Sequence, residues 1–318
     1  MRRGTLLLAL LALTPALTFG QEAVPVQTPS FKSGIELVTV AATVRDKKGR
    51  LVKGLSAGDF QVFDNGQQRA ITDFRDDVSP VSLAILFDVS GSMRVSDRMT
   101  AARFAAHHVL SSLEPGRDEA ALLTFDSRLQ EVAPFTVDTR ALQGALGEVD
   151  PFGATSLHDA IADASKRVAA RTGRRRAVVV ITDGIDTSSG LSPSQVSGMA
   201  SAIDVPVYVI ATVLPIDHPG RDGFLPKGGK DTVADPATSA GTIEDLAAWT
   251  GGAFFFASTP TDTSQAAKQV LDELRQHYVI AFEPSSSDGW RPLEIRTTGK
   301  DHVVRARSGY IAGSQVFH

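Results

Sequence analysis

A carboxylate and two hydroxyls stand at alternate positions directly after an apolar stretch of the chain. Asp88, Ser90 and Ser92 form the pattern Asp-x-Ser-x-Ser, and residues 81–87 before them are almost entirely apolar. Oxygen ligands of this kind suit a small hard cation such as Mg²⁺, which prefers tight octahedral geometry. Gly91 allows a turn narrow enough for both hydroxyls to reach the same point. This pattern predicts a metal-binding loop at the carboxyl end of a buried strand.

Two later segments carry matching chemistry. Thr155 offers another hydroxyl in a glycine-containing loop before an amphipathic segment, and Asp183 with Gly184 ends a second apolar run at 178–182. Taken singly, Asp88 and Asp183 are equally typical of turn or helix-cap residues. Taken together, the residues predict one cation held by loops that are distant in sequence.

This set of residues, in this order, resembles a von Willebrand factor A (VWA) domain over roughly residues 81 to 276. In that family, the five matching positions form the metal-ion-dependent adhesion site; here they are Asp88, Ser90, Ser92, Thr155 and Asp183. The resemblance implies a single divalent ion, Mg²⁺ or another such as Mn²⁺ or Ca²⁺. Ser90, Ser92 and Thr155 would bind it directly, and the two aspartates directly or through water.

The resemblance further implies a protein-binding, adhesion-type module in which the metal captures an Asp or Glu of a partner protein. The residues give little sign of catalysis: the chain has no cysteine, no G-x-S-x-G motif surrounds Ser92, and no general base with a poised pKa is evident. We therefore expect a non-enzymatic protein. Two alternatives stay open, namely a metal-dependent hydrolase acting on phosphate or carbohydrate, and a cell-envelope scaffold with a structural metal.

Composition and the N-terminal segment bear on compartment. The formal net charge is −4, which gives no indication of nucleic-acid binding. Met1-Arg-Arg, an apolar stretch at 6–13 and small residues before Gln21 predict a signal peptide over residues 1–20. No later segment is apolar and long enough to span a bilayer, and without cysteine there is no lipid-anchor site. We expect a secreted or periplasmic protein.

Strand-like and helix-like segments alternate through the middle of the chain and predict a doubly wound, mostly parallel α/β sheet. In such sheets, ligands bind beyond the carboxyl ends of the strands, where Asp88 and Asp183 are expected. The predicted strands are 82–87, 120–125, 129–135, 177–182, 205–212 and 253–257. The predicted helices are 97–113, 139–149, 157–171, 193–202, 243–250 and 263–276.

Both ends of the chain are β-only, and neither has enough strands for a stable sheet. We therefore expect them to pair into one small antiparallel β-sandwich, with the α/β domain inserted between them. This layout, with Asp59-Phe60, Asp64-Asn-Gly66 and Arg305 to Tyr310, resembles the secreted bacterial VWFA-related family. The expected organisation is a signal peptide (1–20), a flexible leader (21–32), the sandwich in two parts (33–78 and 277–313), the VWA domain (79–276) and a tail (314–318).

Two further segments are unusual. Leu214 to Gly241 is rich in Pro, Gly and Asp and long for a strand-to-helix connection; we expect either a disordered insertion or a loop that selects partners beside the metal. Arg171 to Arg176 is the densest basic cluster, and its place before a strand predicts a solvated turn at the end of the sheet opposite the metal.

Overall fold

The fold is described from a computed structural model. The structure describes residues 37–76, 78–95, 97–147, 149–202, 204–212, 241–285 and 288–312. The predicted signal peptide, the leader, the C-terminal tail and nearly all of the 214–241 segment lie outside these residues. Within them, no helix is both long and apolar enough to cross a membrane.

The chain forms strands at both ends and alternating strands and helices between them. The strands are β1 (Val38–Asp46), β2 (Phe60–Asp64), β3 (Gln67–Arg69), β4 (Ile71–Arg75), β5 (Val81–Asp88), β6 (Glu119–Phe125), β7 (Leu129–Thr136), β8 (Arg175–Thr182), β9 (Val207–Ala211), β10 (Phe254–Phe256), β11 (Tyr278–Phe282), β12 (Gly289–Thr297), β13 (His302–Ala306) and β14 (Gly309–Ala312). The helices are α1 (Arg98–Ser111), α2 (Thr139–Leu146), α3 (Leu157–Ala169), α4 (Pro193–Ala202), α5 (Ile243–Trp249) and α6 (Pro260–Gln276).

The central sheet has the order β10-β9-β8-β5-β6-β7, in which only the edge pair β6–β7 is antiparallel. Every residue of β5 is buried, because alternate side chains enter two different cores. Leu83 and Ile85 pack with α1, α2 and α6 on one face, and Ala84 and Leu86 pack with α3, α4 and α5 on the other. The predicted doubly wound, mostly parallel α/β sheet is therefore confirmed.

Strands from the two ends of the chain interleave in two further sheets, with the orders β13-β1-β11-β4 and β14-β12-β2-β3. Their facing sides share a core that includes Val40 and Ile280 from one sheet and Val62 and Ile295 from the other. The predicted antiparallel β-sandwich is thus confirmed. Strands β3 and β14 were not predicted, because β3 is polar and both are short.

Local sequence signals explain two element boundaries. Asn65 and Gly66 both have positive φ, at 50° and 75°, as a two-residue hairpin turn requires. Helix α6 begins at Pro260, earlier than the predicted 263, because the Thr259 side chain accepts a hydrogen bond from the Asp262 N–H in a capping box. Proline at the first helical position removes a donor that would have no partner within the helix.

A buried carboxylate joins the sandwich to the α/β domain. Glu273 of α6 has a fully buried side chain and pairs with Arg45 of β1, at 2.5 Å, and with Arg305 of β13. Burial alone would raise the pKa of Glu273, but the two guanidinium groups hold it below its usual value. The outer face of one sandwich sheet is therefore tied to the helix layer by ionic hydrogen bonds, and the described residues form one compact unit.

We predict that Glu273→Ala lowers the free energy of unfolding by about 3–5 kcal/mol, because it leaves two largely buried arginines without their carboxylate. Glu294→Ala is the matched control, since Glu294 pairs with Arg296 on an exposed surface where such pairs contribute at most about 1 kcal/mol. Urea denaturation of both variants measures the difference. Equal losses would show that the buried cluster does not stabilise the fold.

Candidate metal centre

The site is built where two neighbouring parallel strands end. Strands β5 and β8 pair with Phe87 opposite Ile181, so Asp88 and Thr182 leave the sheet side by side. The Thr182 hydroxyl donates to Asp88 Oδ2 at 2.5 Å, and the Ser90 N–H donates to Asp88 Oδ1 at 2.9 Å. Both oxygens of this fully buried carboxylate are thus oriented by hydrogen bonds from two different strand ends.

The two serine hydroxyls lie together on the loop after β5. Ser90 Oγ and Ser92 Oγ are 3.0 Å apart. The Gly91 N–H between them donates to the Gly153 carbonyl at 2.9 Å, and a Cβ at position 91 would lie 3.2 Å from that oxygen. The glycine is therefore needed for the close approach of two loops, in addition to the narrow turn that the sequence predicts.

Thr155 is placed by a network that sequence reasoning missed. Its N–H donates to the Thr187 hydroxyl at 2.9 Å, and its carbonyl accepts from the N–H groups of Thr187 and Ser188. The next turn is held in the same way, because the Leu157 N–H donates to Asp186 Oδ1 at 2.8 Å. The loop after β8 therefore fixes the Thr155 loop.

Asp183 is held by an arginine that the sequence did not identify as part of the site. The Arg98 Nη1–H donates to Asp183 Oδ2 at 2.9 Å, and both side chains are largely buried. The Ile185 N–H donates to the other carboxylate oxygen at 3.3 Å. Arg98 and Asp183 are 85 residues apart, so their contact leaves no local signal in the sequence. Thr182 directly precedes Asp183, and this position could have suggested that its hydroxyl belongs to the site.

The sequence shows no evident general base with a poised pKa, but the structure contains a carboxyl, that of Asp88, whose pKa is raised. Burial raises the pKa of Asp88 to about 6, and the nearby negative charge of Asp183 adds to this rise. Hydrogen bonds from Ser90 and Thr182 oppose it without cancelling it. The metal-free centre therefore carries a carboxylate whose ionised form is not fully compensated, a situation that a cation would relieve.

The donor set fits a hard cation. Two ligands at adjacent corners of an octahedron with bonds of 2.0–2.1 Å are about 2.9 Å apart. The two serine oxygens, which share a hydrogen bond of 3.0 Å, are spaced closely enough to bind one such ion together. Within the described residues, no cluster of three or more His, Cys, Asp or Glu side chains suits a metal, so this set relies on hydroxyls beside its two carboxylates.

His158 lies in the first turn of α3, directly after the Thr155 loop. Its side chain is only 12% exposed, and Nδ1 lies 3.5 Å from Asp186 Oδ2. Burial lowers the pKa of His158, while Asp186 and Asp159 oppose that change. The histidine thus belongs to the same supporting layer as Asp186 and Thr187.

Residues 83–185 match the family model described as the von Willebrand factor type A domain. No match is found among curated protein sequences. Solved structures similar to the chain include an aerotolerance-related membrane protein from Bacteroides fragilis, with 21% identity over 61% of this chain and 98% of that one and a TM-score of 0.48. A von Willebrand factor type A protein from Catenulispora acidiphila has 14% identity over 88% and 75%, with a TM-score of 0.46. Proximal thread matrix protein 1 from the mussel byssus, with a zinc-occupied MIDAS motif, has 17% identity over 66% and 49%, with a TM-score of 0.45.

The raised pKa of Asp88 predicts a pH-dependent stability in metal-free buffer. Between about pH 4 and pH 6 the folded protein keeps a proton that the unfolded chain has lost, so the free energy of unfolding falls as pH rises through this window. Asp88→Asn should remove this dependence and raise the metal-free stability at pH 7 by about 1–3 kcal/mol, with little gain at pH 4.

Urea denaturation at both pH values measures the effect, and Asp163→Asn on the exposed side of α3 is the control for a simple loss of charge. A destabilised Asp88→Asn protein at pH 7 would contradict the prediction. It would mean that the hydrogen bonds of the carboxylate outweigh its desolvation.

Proposed function

We propose that the chain carries a metal-dependent protein-binding module of the von Willebrand factor type A kind, within a secreted or periplasmic protein; residues 83–185 match the model of that family. One observation carries the proposal: Asp88, Ser90, Ser92 and Asp183 lie together at the ends of adjacent strands, and the negative charge of the buried Asp88 carboxylate is not fully compensated by its hydrogen bonds. The domain limits proposed are 79–276 for this module, with the sandwich formed by 33–78 and 277–313.

Ser90, Ser92 and Thr155 would hold Mg²⁺ through neutral oxygens, with Asp88 and Asp183 binding directly or through water. Hydroxyl ligands leave most of the positive charge uncancelled, so a bound Mg²⁺ would supply an attractive coordination position for one more carboxylate. We propose that an Asp or Glu of a partner protein provides it. Mn²⁺ has the same preference for oxygen ligands, and Ca²⁺ also binds oxygen but takes six to eight ligands at bonds of about 2.3–2.6 Å.

Arg98 would reduce the negative charge of the centre. Its guanidinium offsets the charge of Asp183, so the five candidate ligands together with Arg98 carry a formal charge of −1 when both aspartates are ionised. A divalent ion then leaves a net positive centre, which favours an acidic group on the partner.

Apolar side chains on three loops surround the candidate centre. Val95 follows the serine loop, Phe152 precedes Thr155, and Ile185 follows Asp183; all three are exposed, Phe152 by 72%. The Arg94 guanidinium lies 5.9 Å from the centre of the Phe152 ring. A cationic centre within an apolar rim suits a partner whose acidic residue is flanked by apolar side chains.

Binding is favoured over hydrolysis by the burial of Asp88. A carboxyl with a pKa near 6 resembles a general base, but Asp88 is fully buried and both of its oxygens accept hydrogen bonds from within the protein. A general base must reach the proton that it removes. The hydrolase and the scaffold with a structural metal are therefore the outcomes against which the proposal is tested.

We predict that Mg²⁺ binds the wild-type protein with one site and that Ser92→Ala weakens the affinity at least about tenfold, because one direct ligand is lost. Isothermal titration calorimetry of protein stripped of metal by a chelating resin measures both. Ser127→Ala is the matched control, since Ser127 is an exposed serine in the loop after β6. Equal affinities for wild type and Ser92→Ala would remove Ser92 from the metal site.

We predict that immobilised protein captures a partner from native envelope extract in Mg²⁺ and releases it in EDTA. Ser92→Ala and Phe152→Ser should both reduce capture, while Phe152→Ser keeps wild-type Mg²⁺ affinity because its side chain is not a ligand. In the captured protein, replacing the contacting Asp or Glu by Asn or Gln should abolish binding.

Two results would support the alternative functions instead of partner binding through the metal. Capture that persists in EDTA would favour the scaffold with a structural metal. Turnover of a phosphate ester or glycoside that is lost in Asp183→Ala would favour the hydrolase.

A further inference from the structure

A crevice of about 340 Å³ lies between the α/β domain and the outer face of the sheet β13-β1-β11-β4. It is at the other end of the central sheet from the metal centre: Arg175 begins β8, and Asp183 directly follows the end of that strand. Eight residues of strand span roughly 25 Å. Residues that line the crevice include Arg75, Arg174, Arg175, Arg176, Asp204 and His277.

The charge of this lining is strongly positive. Its described residues include four arginines and one carboxylate, Asp204, which is 3.7 Å from a fifth arginine, Arg307. One of the four, Arg75, pairs with Asp73 outside the lining at 3.2 Å, so Arg174, Arg175 and Arg176 supply most of the positive charge. The pKa of His277 lies well below its usual value, because the residue is buried and beside Arg175, so His277 is neutral at neutral pH. Burial also lowers the pKa of Arg307; Asp204 opposes this, and Arg176 adds a smaller contribution to the decrease.

Backbone carbonyls hold these guanidinium groups in place without cancelling their charge. The Arg176 Nη1–H donates to the Ala169 carbonyl at 2.8 Å, the Arg175 Nη1–H to the His277 carbonyl at 2.6 Å, and the Arg174 Nη1–H to the Arg117 carbonyl at 2.7 Å. A guanidinium has five donor hydrogens, so in Arg174 and Arg176 this bond orients the group and leaves further donors for a ligand.

The carboxylates near the crevice already pair with arginines outside its lining. Arg174 Nε lies 3.6 Å from Glu119, but Arg171 binds both oxygens of that carboxylate at 2.7 and 2.8 Å. No carboxylate of the described residues lies within ion-pair distance of Arg176. The basic turn is therefore more than the solvated turn that the sequence predicts, because its arginines are ordered around a cavity.

We propose that this crevice binds a phosphate-type oxyanion, either a soluble phosphate compound or the phosphate of a lipid headgroup. Arginine matches phosphate through paired N–H···O bonds, and Thr39 and Thr172 are also lining residues. The volume is at the small end of sites for small molecules. The protein has a net charge of −4, so the positive potential is a local property of the crevice.

Calorimetric titration with pyrophosphate tests the proposal on the full chain. Metal is first removed with a chelating resin rather than EDTA, which is itself a polyanion, and NaCl holds the ionic strength constant. We expect saturable binding that Arg176→Gln weakens at least about tenfold. Arg167→Gln is the matched control, since Arg167 is an exposed arginine of α3 that pairs with Glu131, and it should bind like the wild type.

Thermal unfolding shows whether each variant is folded, and Arg174→Gln provides a second test if Arg176→Gln is not. Wild-type protein that gives no saturable binding would overturn the proposal. Equal affinity in folded Arg176→Gln, or in Arg174→Gln if that variant replaces it, would overturn it as well.

Flotation with vesicles separates the two sources of phosphate. Binding to phosphatidylcholine vesicles that contain phosphatidic acid, lost in Arg176→Gln and absent from phosphatidylcholine alone, identifies a lipid headgroup. Pyrophosphate binding without flotation identifies a soluble phosphate. Flotation that Arg176→Gln leaves unchanged, in the absence of pyrophosphate binding, would show general attraction to an anionic surface and would overturn the site.

Discussion

The parallel pairing of β5 with β8 is the constraint on which the candidate metal centre depends. Both strands are central, and their alternate side chains fill the two cores of the doubly wound domain. A shift of one residue would exchange the side chains that fill the two cores, so the packing of each face against its own helix layer, and not burial alone, determines the register. That register brings Asp88 beside Thr182, and the polar oxygens collect where the apolar strands end.

Strand β8 connects two regions of opposite charge. Strand β8 begins among arginines at the crevice and ends at the aspartate of the metal centre, with buried apolar residues between them. Charged groups are costly inside a sheet that is covered on both faces. They are therefore concentrated at the two ends, which is where a doubly wound domain can contact other molecules.

The sandwich is attached to the domain through arginines of its outer face. Arg45 and Arg305 meet Glu273, while Arg307 reaches the Ser201 carbonyl and lies near Asp204. Ionic hydrogen bonds of this kind are directional, and their desolvation makes a misplaced partner costly. They orient the sandwich against the base of the α/β domain, and the crevice lies beside these contacts.

The sequence by itself determined the α/β class, the insertion between two β segments and the hairpin at Asn65-Gly66, because periodicity and turn chemistry are local properties. It also identified the five candidate metal ligands through a family resemblance. Only the tertiary structure decided how Arg98 meets Asp183, how Thr182 meets Asp88 and how Glu273 meets Arg45, over separations of 85, 94 and 228 residues. These contacts depend on strand order and on the packing of whole layers, so no local pattern in the chain encodes them.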